Sequence, residues 1–166
     1  MQILRHAVAL IALLTLSPAT YADENSTKLF NAVKSAKVSL ETGLRASERE
    51  GKPISAKYEL EDGKLQLSVY TLKAAKFYEV IVDHTTGKIA RTEEITSGDD
   101  LAAAKEQSAA MVHAKKSLRA AVRAAQKAHK GFRAISVVPE LKASHPIATI
   151  ALSKGHETLT ATEKLD

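Results

Sequence analysis

The chain has no cysteine and no tryptophan, and aromatic residues fill only 4% of its 166 positions. Without cysteine there is no disulfide, no thiol nucleophile, and no thiolate-held zinc or iron–sulfur centre. The lipid anchor of a bacterial lipoprotein, which needs a cysteine, is excluded as well. With so few aromatics, the core must come mainly from Val, Ile, Leu and Ala. Charge is not strongly of one sign. Lys and Arg number 24 against 19 Asp and Glu, a formal net charge of +5. Basicity this mild does not mark a dedicated nucleic-acid binder. Past residue 16, no apolar run approaches the ~20 residues that a membrane span needs.

Catalytic motifs are missing too. There is no HExxH pair, no GxSxG elbow and no glycine-rich phosphate loop. Asp83 and His84 adjoin at a turn, where neighbouring side chains usually point apart. His84, His113, His129, His145 and His156 form no i, i+4 pair and no short chelating loop. The sequence therefore indicates no catalytic residue, no metal site and no cofactor.

What is present begins with an export signal. Arg5 and His6 precede the uncharged apolar run Ala7–Leu16, Ser17-Pro18 breaks it, and Thr20 and Ala22 are small residues before Asp23. This pattern predicts a signal peptide over 1–22, cleaved after Ala22. The expected location is the periplasm, with secretion as the alternative, and no stable membrane anchor is expected.

Residues 23–97 read as one unit. Leu29, Val33, Ala36, Leu40 and Leu44 recur at helical spacing, and Gly51 and Pro53 stop the helix. Strands follow at Ile54–Leu60, around Leu65–Val69, at Phe77–Val82 and at Lys88–Ile95. Asp62-Gly63 and Thr85-Thr86-Gly87 are turn signals, and Leu72–Lys76 reads as a connection. Residues 98–166 read as a second unit. Asp99 or Asp100 can cap a long Ala-rich helix from Leu101 to His129. Strands then return at Phe132–Val138, Ile147–Leu152 and His156–Ala161. Pro139 suggests a strand end or an edge strand.

The order of elements thus repeats, and so do some residues. Ile54–Leu60 reads ISAKYEL and Ile135–Leu141 reads ISVVPEL, while Ser39-Leu40 matches Ser117-Leu118. The expected fold class is α+β, with two helix-plus-antiparallel-sheet units in tandem.

The stretch Phe77–Ile89, FYEVIVDHTTGKI, resembles the closing hairpin of the PepSY domain family. The matching residues are Tyr78, Val80, Val82, Asp83, Thr86, Gly87 and Ile89. The resemblance extends over about Leu29–Ile95, and the second half looks like a degenerate copy. Their spacing suits structural work: alternation for the strand, a carboxylate for the turn backbone, and a glycine for positive φ. The resemblance implies an exported, non-catalytic binding module. Such a module would modulate or inhibit a peptidase or another envelope protein, by a sheet face or an edge strand.

An alternative rests on Lys116, Arg119, Arg123, Lys127 and Lys130, which recur along one helix face. As a functional surface, this basic face would hold an anionic protein, lipid or polymer of the envelope. Its apolar side is mostly Ala and lacks interfacial anchors. With no aromatic stacking platform, nucleic acid is not an expected partner.

Overall fold

The computed structural model describes residues 19–166. The apolar run of the expected signal lies outside the described residues, and Ala22 falls inside the first helix. In chain order the elements are α1 (Ala19–Val33), α2 (Leu40–Ser47), β1 (Lys52–Glu61), β2 (Lys64–Lys73), β3 (Lys76–Val82) and β4 (Ile89–Ile95). Then come α3 (Gly98–Val112), α4 (Leu118–Ala128), β5 (Arg133–Lys142), β6 (His145–Lys154) and β7 (Glu157–Lys164). The fold is α+β. All seven strands join one antiparallel sheet in the order β4-β3-β2-β1-β5-β6-β7. Among the described residues, no helix is long and apolar enough to cross a membrane.

Both expected long helices are broken, and for the same physical reason. The spacing Leu29–Leu44 predicts one helix, yet residues 34–39 leave the helical path. There the N–H groups of Lys37 and Val38 donate to the His84 carbonyl at 2.9 and 3.0 Å. Ser39 then restarts the chain as the N-cap of α2, its Oγ accepting from Thr42 N at 3.1 Å. The Leu101–His129 helix likewise breaks over 113–117. The N–H groups of Lys115 and Lys116 donate to the Leu165 carbonyl at 2.7 and 2.9 Å. Ser117 caps α4, accepting from Ala120 N at 3.2 Å. Neither break holds a Gly or Pro, so no chain-breaking residue marks it. Asp99 and Asp100 lie in the first turn of α3, not at its cap. There they oppose the positive end of the helix dipole.

Four two-residue turns shape the sheet. At Asp62-Gly63 both residues have positive φ (49° and 74°), as a type I′ hairpin requires. Ala74-Ala75 (50° and 63°) and Ala143-Ser144 (48° and 67°) do the same without glycine. The segment Leu72–Lys76 is therefore not a loose connection but a tight hairpin between β2 and β3. The fourth, Gly155-His156, joins β6 to β7.

The two halves of the sheet meet through a very short ladder, Ala56↔Val137 and Lys57↔Ser136. Bulges bound it on both sides. The β1–β2 register shifts at Ile54, and the β5–β6 register shifts at Ile135. Pro139 has no N–H to extend the ladder past Val138. It sits not on an edge strand but in β5, beyond the last pair with β1 and opposite Ala148 of β6.

Strand alternation sorts the two faces. Leu67, Val69, Val80 and Val82 are buried against α2, where Gly43 lets the helix come close to Leu67. A Cβ on Gly43 would stand 2.7 Å from Leu67 Cδ2. α4 covers the second half of the same side, placing Leu118, Ala121, Val122 and Ala125 in the core. α3 crosses the opposite face, where Ser55 Oγ donates to Gln107 Oε1 at 2.6 Å.

Two basic side chains brace the halves. From the start of β5, Arg133 donates to the carbonyls of Val33 (3.3 Å), Ala36 (2.8 Å) and Val38, and to Tyr58 Oη. From the start of β1, Lys52 Nζ donates to the Met111 carbonyl at the end of α3, at 3.2 Å. Each half thus holds the carbonyl end of a helix from the other.

Candidate binding surface

The hairpin motif is built as a support. Asp83 Oδ1 accepts from the N–H groups of Thr85 (2.8 Å) and Thr86 (2.7 Å). The Thr86 and then the Thr85 bond hold the Asp83 carboxyl below the usual carboxylate range. Gly87, at φ 74°, donates its N–H to the Asp83 carbonyl at 2.8 Å. A Cβ on Gly87 would lie 3.6 Å from Val38 and 3.7 Å from Thr42, so the turn sits under the start of α2. Tyr78, Val80 and Val82 share the helix-covered face, and Ile89 pairs with Val82. Asp83 Oδ1 is occupied by the turn, and His84 Nδ1 is buried with no hydrogen-bond partner among the described residues.

The remaining histidines are dispersed. His113 and His129 are the C-caps of α3 and α4, and His145 Nδ1 lies 2.9 Å from Asp166. His156 occupies the β6–β7 turn. Among the described residues, no three His, Asp or Glu side chains converge for a metal ion.

The basic face is not a free stripe. Arg119 pairs with Glu48, the C-cap of α2, at 3.2 Å, and Arg123 with Glu41 in its first turn at 3.4 Å. Lys116 precedes α4 and donates to the Lys164 carbonyl at 3.1 Å. Lys130 follows the helix. Lys127 and Lys130 make no ion pair among the described residues.

The open surface is the β4 edge. Its five central residues, Ala90–Glu94, are all exposed, and β3 is its only substantial neighbour among the described elements. The opposite edge is more enclosed, because α4 packs on β7 and the following Leu165 carbonyl is held by Lys115 and Lys116. Charged Arg91, Glu93 and Glu94 blunt the β4 edge against self-pairing. Glu79 and Glu93 stand directly opposite in the register.

In the middle of the sheet, on β1 and β2, lies a polar cluster that sequence reasoning missed. Lys57 Nζ is 2.6 Å from Glu59 and 5.5 Å from the Tyr70 ring centre, and Ser68 Oγ donates to Glu59 at 2.6 Å. Burial alone would lower the Lys57 ammonium, but its bond to Glu59, with the charge of Glu59 and the nearby Tyr70 oxygen, together raise it. Burial pushes the Tyr70 phenol up to about 12. Both groups stay protonated at neutral pH, so each presents hydrogen-bond donors. The alternation of Lys57 and Glu59 with buried Ala56 and Tyr58 was the available signal. Comparisons with protein-family models, with curated proteins and with solved structures gave no match for this chain.

Proposed function

We propose that the protein is an exported, non-catalytic binding module of the PepSY type, made of two tandem helix-plus-sheet units. It modulates a peptidase or another envelope protein by adding an extended partner segment to β4. The observation that carries this reading is the β4 edge, exposed along its centre and uncovered. A free edge offers main-chain donors and acceptors for an added strand. The tandem reading is supported by matched details. Ser39 and Ser117 cap equivalent helices, Ile54 and Ile135 are the two bulges, and Ala56 pairs with its own counterpart Val137.

Affinity capture from an envelope extract tests the binding claim. The full chain should retain one protein through a high-salt wash, whereas a folded Thr92→Pro variant should lose it. Retention by that variant would remove β4 as the docking edge. Export is tested separately by N-terminal sequencing of protein from the periplasmic fraction, which should begin at Asp23.

A further inference from the structure

A groove of about 530 Å³ opens where α2, the start of β1 and the 113–117 link converge, and no β4 residue lines it. Its volume lies in the range of ligand-binding clefts, ~300–1,000 Å³. Buried Leu44, Met111 and Leu118, with half-buried Pro53 and Ala114, supply an apolar floor. Four cations from three segments stand on its rim: Lys52, Lys115, Lys116 and Arg119. Among the described residues Glu48 is the single acid there, and it is spent on Arg119.

The other three charges are not neutralised. Lys52 and Lys116 each donate to a backbone carbonyl, which uses one of three ammonium donors and cancels no charge. Lys115 is exposed and its side chain has no partner among the described residues. Low-dielectric walls around like charges focus the field into a cleft. Among the described residues no aromatic side chain lines the groove, so a stacked base has no platform there. Its concavity also fits a protruding side chain better than a flat layer of headgroups.

We propose that this groove seats an acidic peptide segment of a partner protein. One apolar side chain rests on Leu44 and Leu118, and flanking carboxylates face Lys52, Lys115 and Lys116. The claim is independent of the β4 edge and stands or falls separately from it.

An NMR titration of the full, isotope-labelled chain tests it. The probes are acetyl-Glu-Asp-Leu-Glu-Asp-amide, its Gln/Asn counterpart, and phosphatidylglycerol vesicles. The acidic peptide should shift the amides of Gly51 and Ala114–Arg119 and leave β4 unmoved. Binding should weaken about tenfold or more for the neutral peptide and for Lys115→Glu/Lys116→Glu, and be lost at ~1 M salt. Those two lysines are exposed, so the variant should keep the wild-type spectrum elsewhere. If the neutral peptide binds within about twofold of the acidic one, or the shifts fall outside the groove, the proposal is wrong. Shifts produced by the vesicles alone would also overturn it, in favour of a lipid surface.

Discussion

Replacing Arg133 should loosen the seam between the two halves. Its guanidinium makes two well-formed bonds, to the Ala36 carbonyl at 2.8 Å and to the Val38 carbonyl, and two longer ones at 3.3 Å. Hydrogen bonds from a charged donor contribute about 1.5–3 kcal/mol each. The two good bonds would then total about 3–6 kcal/mol, but the side chain is only half-buried and water can replace part of them. Arg133 Nε is buried without a partner among the described residues, a cost that disappears with the side chain. The net expectation for Arg133→Leu is a loss of about 2–4 kcal/mol. Arg133→Lys has one ammonium for two separated carbonyls and should lose about half of that. Urea unfolding reads the difference as a lower midpoint at unchanged slope. Amide exchange should quicken over 34–38 in the same variants. If Arg133→Leu stays within about 0.5 kcal/mol of the parent, as an ordinary surface substitution would, the brace is not energetically real.

Three further outcomes follow from the geometry. Gly87→Ala forces a Cβ into φ 74° and should cost about 1–2 kcal/mol, measured as a fall in melting temperature; no change would mean the turn relaxes freely. Asp83→Asn should flatten the acid limb of the stability curve. The folded carboxyl is depressed, so its contribution is present above the unfolded value near ~3.9 and fades as pH falls through the folded one; an acid limb identical to the parent would refute this. In an ultraviolet titration, the phenol that ionises at about 12 should vanish in Tyr70→Phe, and persistence of that step would assign it elsewhere.

The sheet was largely legible because its turns carry recognisable chemistry. Asp62-Gly63, Thr86-Gly87 and Lys154-Gly155 each mark a reversal that the backbone makes. Ala74-Ala75 and Ala143-Ser144 do not advertise positive φ, so β2, β3, β5 and β6 run longer than composition suggests. The helical spacing of Val33, Ala36, Leu40 and Leu44 correctly marked buried positions but not a continuous helix. The carbonyls that break both helices, those of His84 and Leu165, are far away in sequence. The match between Ser39-Leu40 and Ser117-Leu118 held the answer, since each serine is the cap where a new helix begins. Periodicity also placed cations along α4, yet Lys52 joins Lys115, Lys116 and Arg119 only through tertiary packing.

Site-specific photocrosslinking tests the central claim most directly. A photoreactive residue would replace Arg91 or Glu93 in β4, or Lys127 on α4 as a comparison, in cells that export the protein. Binding along the β4 edge predicts a crosslinked protein partner from Arg91 and Glu93 and none from Lys127. Crosslinks from Lys127 alone would contradict the account and move the binding surface to the basic helix.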